Sequence, residues 1–124
     1  MENPVRSALG DDGSATVTVL GEIDFSNADD VSQGIRDALT DWSPSIVRVE
    51  LKDATFIDST GLGALIEGYR AAAEAETAFL VVNPTESFRR VLTVTGLSDL
   101  FGLADIGESD GAALVDSRNP DLAI

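Results

Sequence analysis

A run of polar and small residues near the middle of the chain, FIDSTGLGAL, holds residue types that could do chemistry. Such a run fits a catalytic site, a phosphate cradle, or a hydroxyl that another protein modifies. The run contains an acid, two hydroxyls and two glycines, namely Asp58, Ser59, Thr60, Gly61 and Gly63.

The letters around these residues disfavour the chemistry of an enzyme. A phosphate-binding loop needs a lysine after its glycines, and the only lysine is Lys52. A dinucleotide fingerprint needs a third glycine where Ile66 stands, and DSTG is one residue too long for an aspartic protease. The chain has no cysteine and no histidine, and Asp24 with Asp58 would lack a third metal ligand. We therefore expect no catalytic residue, no metal and no cofactor.

Length and charge limit the class of protein. The 124 residues predict a single domain over 1–124. Eight basic against 22 acidic residues give a formal net charge of −14, which would repel nucleic acid and anionic lipid but suit a protein partner with a basic face. The N-terminus does not resemble a secretory signal, and the longest apolar run, AFLVV, is far too short to span a bilayer. We therefore expect a cytoplasmic protein without nucleic-acid or membrane contacts.

Hydrophobic periodicity predicts strands that alternate with helices. SATVTVLGEID alternates as one half-buried strand, with a weaker strand at 5–9 before it and GDDG as the hairpin turn. SIVRVEL at 45–51 and AETAFLVV are further strands, and LFGLADI a last short one. Helices are predicted after Ser26 or Asn27 as the cap, from Ser59, after Thr85 up to Gly96, and weakly over ESDGAALVDS.

Helical spacing also predicts which side chains face inward. The inward positions are Val31, Ile35, Ala38 and Leu39 in the first helix, Leu62, Leu65, Ile66, Tyr69 and Ala73 in the second, and Phe88, Val91 and Leu92 in the third.

This order predicts an α/β fold with a small mixed sheet, because crossovers join parallel neighbours and the N-terminal hairpin adds an antiparallel pair. Asp24 follows the second predicted strand, and Asp58 with Ser59 follows the third. Since parallel strands end at one edge of a sheet, we expect Asp24, Ser26, Asp58 and Ser59 to lie close together.

Two questions stay open at this level. Asp58 or Ser59 could simply cap the helix, which does not exclude modification of the serine. Gly61, Gly63 and Gly68 each cost about 1 kcal/mol in a helix relative to alanine. They fit either close packing on the sheet or a flat rim for a partner.

Three blocks together resemble the STAS domain, most closely its stand-alone anti-sigma factor antagonists. The blocks are LGEID at 20–24, FIDSTGLGAL at 56–65 and NPTESFRRVLTVTGLSDLF at 83–101, and the resemblance covers about residues 15–106. It implies a STAS-like fold and a protein substrate. A GHKL-type kinase that is also the anti-sigma factor would phosphorylate Ser59. The unphosphorylated protein would bind that kinase and free a sigma factor, and a PP2C-type phosphatase would reset it.

The resemblance also implies a partner-binding surface around the serine. The family often has an aspartate where Glu50 stands, and Thr60 is a second candidate hydroxyl. Alternatives are a STAS module of a stressosome-like or lipid-transport complex, or a domain that binds a small ligand or nucleotide. The expected partner-binding residues are Asp24, Ser26, Asp58, Thr60, Gly61, Leu62 and Gly63.

Overall fold

The computed structural model describes residues 3–102, which form six strands and four helices. In chain order these are β1 Val5–Leu9, β2 Ala15–Val19, β3 Gly21–Ile23, α1 Ala28–Trp42, β4 Ile46–Glu50, β5 Ala54–Ile57, α2 Ser59–Glu74, β6 Ala78–Val82, α3 Glu86–Thr95 and α4 Leu97–Leu100.

The main sheet has the strand order β1-β2-β4-β6. β1 and β2 form the antiparallel hairpin, whereas β2, β4 and β6 are parallel. Alternate residues of β2, namely Ala15, Val17 and Val19, are buried, as their spacing predicts. The predicted mixed sheet is therefore confirmed.

A second, two-stranded ladder carries the candidate site. β3 and β5 are parallel partners, and Ile23 lies opposite Ile57. The prediction of one continuous strand over SATVTVLGEID was wrong, because Gly21 turns the chain with a φ of +73° and donates its N–H to the carbonyl of Asp53. β5 was not predicted, since four residues give too few alternations to mark a strand.

Helices α1 and α2 pack against each other and against the sheet. Their close approach explains Gly68, because a Cβ there would lie 2.4 Å from Cδ1 of Ile35. The predicted stripe of α1 is buried. In α2 the prediction for Ala73 was wrong, since Ala72, seven residues after Leu65, takes the buried position.

The structure corrects the C-terminal part of the sequence prediction. Thr85 caps α3 and Gly96 ends it, as predicted, but Val91 is 43% exposed because only Phe88 and Leu92 of this helix reach the core. In LFGLADI, Leu100 belongs to α4 and the next two residues form a turn, so the predicted strand does not include residues 100–102. Residues 103–106, the predicted last helix over 108–117 and the tail after it lie outside the described residues.

The helices are short compared with the thickness of a membrane. Within residues 3–102, each helix is too short or too polar to cross a bilayer.

Candidate functional site at the ends of β3 and β5

The two predicted acids leave the β3–β5 ladder side by side. Asp24 follows Ile23 and Asp58 follows Ile57, and those isoleucines are register partners. The backbone N–H of Asp58 donates to the carbonyl of Ile23 at 3.1 Å, which extends the ladder by one bond. The strand that Asp58 follows is β5 rather than the predicted strand at 45–51, but the expected closeness of the two chain segments is correct.

Asp58 caps α2. Its carboxylate accepts the backbone N–H of Gly61 at 2.9 Å, and its carbonyl accepts that of Leu62 at 2.9 Å. This answers the open question of the cap, because one acid satisfies the helix start with its side chain and its backbone.

The hydroxyls that follow are not needed for the cap. Ser59 and Thr60 are the first two residues of α2, and both are exposed. Among residues 3–102, neither hydroxyl has a hydrogen-bond partner. The backbone N–H groups of a first helical turn and the positive end of the dipole favour an anion beside them. A negative group added at Ser59 would therefore fit the local structure.

The glycines of the run serve different purposes. A Cβ at Gly61 would lie 2.6 Å from Cγ2 of Ile57 and 2.9 Å from Cγ2 of Ile23, so this glycine lets α2 start directly on the ladder. A Cβ at Gly63 would meet no atom within 4 Å. Close packing therefore explains Gly61 but not Gly63, where a side chain would meet open space. Between them, Leu62 is half-buried and packs against the core.

The loop after β3 is held by its own side chains. The Oδ1 atom of Asp24 accepts the backbone N–H of Ser26 at 3.0 Å and its hydroxyl at 2.6 Å. Both bonds stabilise the charged form, the hydroxyl bond most, and they lower the pKa of Asp24 below its usual value. The carboxylate therefore stays ionised at neutral pH.

Asn27 stands at the predicted cap of α1 but does not cap it. Its Oδ1 atom accepts the backbone N–H of Asp24 at 2.9 Å, and its Nδ2 donates to the carbonyl of Glu22 at 2.9 Å. Asn27 holds the N-cap position, as predicted, but neither it nor Ser26 makes the capping bond, because both side chains bond within the loop that carries Asp24.

Two exposed aromatic residues near this site were not predicted from the sequence. Phe25, between Asp24 and Ser26, is 82% exposed, and Phe56 in β5 is 57% exposed. A large aromatic residue inside the polar run DFSN was the signal that could have identified Phe25.

Glu50, where the family often has aspartate, accepts the backbone N–H of Lys52 at 2.9 Å and the side-chain amide of Asn83 at 3.0 Å, so it joins two loops.

Across residues 3–102, no group of three or more acids is arranged to hold a metal ion. The carboxylate of Asp24 bonds Ser26 and makes no hydrogen bond to Ser59 within this part of the chain.

Comparisons with known proteins agree with this geometry. The family model of the STAS domain matches residues 6–110. An anti-sigma factor antagonist from Mycobacterium paratuberculosis, known from a crystal structure, is 33% identical. The similarity covers 83% of this chain and 87% of that one with a TM-score of 0.68.

Two other comparisons are more distant. The anti-sigma-B factor antagonist of Bacillus subtilis (strain 168) is 28% identical over 90 residues, which are 71% of this chain and 79% of that protein. The anti-sigma factor antagonist SpoIIAA in its unphosphorylated form shares the fold, with a TM-score of 0.68 and 18% identity over 81% of this chain and 87% of that one.

Proposed function

The chain belongs to the STAS domain family, and from that membership we propose that it is an anti-sigma factor antagonist controlled by phosphorylation of Ser59. In its unphosphorylated form it would bind an anti-sigma factor and so free a sigma factor for transcription. One observation carries the proposal: Ser59 presents an exposed hydroxyl, without a hydrogen bond to any of residues 3–102, at a helix start that Asp58 already caps.

The chain would be the acceptor rather than the enzyme. The partner, an anti-sigma factor that is also a GHKL-type serine kinase, brings ATP, its metal and the base. The Ser59 oxygen attacks the γ-phosphorus of ATP, its proton passes to the kinase, and ADP leaves. A PP2C-type phosphatase would hydrolyse the phosphoserine and restore the binding form. An acceptor hydroxyl needs only exposure and in-line placement, which agrees with a sequence without histidine.

Electrostatics explains how one phosphate could release the partner without unfolding the protein. A phosphoserine carries about −1.5 to −2 charges at pH 7, and the helix start favours a charge there by up to about 2 kcal/mol. In a docked interface the same charge would be crowded by Asp24 and Asp58. Like-charge repulsion and lost hydration can cost several kcal/mol there, and about 4 kcal/mol is a thousandfold in affinity.

The contact surface would surround Ser59. It would include Asp24 and Ser26 on the loop after β3, and Asp58, Thr60, Gly61, Leu62 and Gly63 at the start of α2. The open space above Gly63 supports this surface, because a partner backbone could approach there.

Binding to the purified kinases of this class from the same organism tests the proposal. We expect one of them to bind the wild-type protein, and Ser59→Asp to weaken that binding at least tenfold, or about 1.4 kcal/mol. Ser7→Asp, on the exposed part of β1, is the matched control and should bind like the wild type. Equal binding of Ser59→Asp and wild type would contradict the proposal.

A further inference from the structure

An apolar groove lies between β5 and α3. We call it the β5–α3 groove; it has a volume of about 120 Å³, and its apolar lining consists of Phe56, Ile57, Phe88 and Val91. Phe56 is 57% exposed and Val91 43% exposed, although helical spacing predicts Val91 inside. Two large apolar side chains thus stay in contact with water on either side of one groove.

The groove borders the candidate site directly. Ile57, in its lining, precedes Asp58, and Asp58 caps the helix that begins with Ser59. Any protein that covers Ser59 must therefore come close to the groove, since only Ile57 and Asp58 separate Phe56 from the serine along the chain.

The volume of the groove limits the kind of molecule that can occupy it. Sites for small molecules and cofactors usually measure about 300–1,000 Å³, so this groove is too small for them. A stable interface between two copies buries about 1,200–2,000 Å², which a groove with two exposed apolar side chains does not provide alone. As part of a larger interface around Ser59, it can take one apolar side chain.

We infer that the anti-sigma factor that docks on Ser59 also inserts an apolar side chain into the β5–α3 groove, against Phe56 and Val91. This inference rests on the proposed function and adds a second anchor to the same interface. Buried aromatic and aliphatic anchors at the centre of an interface carry much of its binding energy. The anchor would also make the affinity less dependent on salt. Salt screens the attraction between charges on this chain of net charge −14 and a basic partner, whereas it has far less effect on an apolar contact.

Substitutions on α3 test this inference with a matched control. Val91→Asp puts a charge into the groove, whereas Val94→Asp puts the same charge on the same helix at a residue that is 80% exposed and does not line the groove. The full chain of each variant is titrated against the purified kinases named above. We expect Val91→Asp to weaken binding at least tenfold and Val94→Asp less than threefold. Phe56→Thr, which keeps a β-forming residue in β5, should weaken binding about as much as Val91→Asp.

The outcomes separate this inference from the proposed function. If Val91→Asp and Val94→Asp bind with equal affinity while Ser59→Asp binds more weakly than wild type, docking in the groove is overturned and the proposed function stays supported. If Val91→Asp and Phe56→Thr lose affinity for the kinase and Ser59→Asp does not, the result would support docking in the groove and contradict control by phosphorylation of Ser59. If none of the purified kinases binds the wild-type chain, both are overturned. Melting curves of the variants show whether a lost affinity merely follows unfolding.

Discussion

Two turns of this protein share one sequence pattern, an aspartate followed two residues later by a serine. In the β1–β2 hairpin, Oδ1 of Asp12 accepts the backbone N–H of Ser14 at 3.0 Å and its hydroxyl at 2.7 Å. After β3, Oδ1 of Asp24 accepts the same two groups of Ser26 at 3.0 and 2.6 Å. The serine hydroxyl bond is the main cause that lowers the pKa of each carboxyl.

The surroundings of the two turns differ. Ser14 is buried, and its hydroxyl also accepts Nη1 of Arg48 from β4 at 2.9 Å, so the hairpin turn is joined to the sheet. Ser26 is exposed, and so is its neighbour Phe25. The same local motif therefore stabilises the fold in one place and shapes an open surface in the other. The pattern D-x-S by itself does not mark a functional site.

Replacing the serine of each turn by alanine should give the largest difference between the two turns. Ser14→Ala removes a buried hydroxyl that joins the hairpin turn to Arg48 of the sheet, so we expect a loss of about 2 kcal/mol in the free energy of unfolding. Ser26→Ala, at the exposed turn, should cost less than about 0.5 kcal/mol. Urea denaturation of both variants measures this. Equal losses would mean that the two turns have the same structural role.

Two glycines of α2 show a similar contrast between a packed position and an open one. Gly61→Ala forces a methyl group against Ile57 and Ile23 and should destabilise the protein by about 1–3 kcal/mol. Gly63→Ala meets open space and should stabilise the helix by up to about 1 kcal/mol.

Thermal melting and kinase binding on the same samples separate the two glycines. We expect Gly63→Ala to bind more weakly despite its unchanged or higher stability, because the new methyl group narrows the rim. An unaltered affinity would remove Gly63 from the contact surface.

The aspartates of the two turns should differ in their effect on phosphorylation. Asp24→Asn should slow the initial rate of phosphate transfer to Ser59 about tenfold, equivalent to about 1.4 kcal/mol, if Asp24 contacts the kinase or orients the serine. Asp12→Asn makes the same change in the hairpin turn and should leave that rate unchanged. A normal rate in Asp24→Asn, or a slow rate that only follows a lower melting temperature, would remove Asp24 from the site.

Titration gives the smallest expected difference. Both carboxyls should titrate below the usual aspartate pKa of about 3.9. Because a lowered pKa favours the folded state only while the group is ionised, their stabilising effect is complete above that value. The stabilising effect is lost as the pH falls through the lowered pKa that each carboxyl has in the folded protein.

NMR titration of the carboxyl carbons can assign the cause. In Ser26→Ala, the midpoint of Asp24 should rise towards the usual value, while that of Asp12 stays where it is. A midpoint of Asp24 that does not move would show that the Ser26 hydroxyl is not what lowers it.

The sequence predicts the parts of this fold that rest on repeated patterns. The alternation in β2 and the spacing of Val31 and Ile35 in α1 span several residues and identify a strand and a helix reliably. β5 has only four residues, and the break at Gly21 depends on a hydrogen bond to Asp53, which is far away in sequence. Neither feature has a local pattern, so neither could be predicted.

The candidate site shows the same division. The sequence predicts the closeness of Asp24 and Asp58 from parallel strand ends, but the strand that ends at Asp58 is the unpredicted β5 and not the strand at 45–51. The bonds of Asn27 to Asp24 and Glu22 depend on how the loop closes, and the exposure of Val91 depends on which face of α3 packs on the core. Those are outcomes of tertiary packing that helical spacing does not contain.

Mapping the phosphate tests the central claim most directly. The protein is incubated with its kinase and ATP, and the modified residue is identified by mass spectrometry in wild type, Ser59→Ala and Thr60→Val. We predict phosphate on Ser59 in wild type and Thr60→Val, and none in Ser59→Ala. Phosphate on Thr60 alone, or undiminished labelling of Ser59→Ala, would contradict the account.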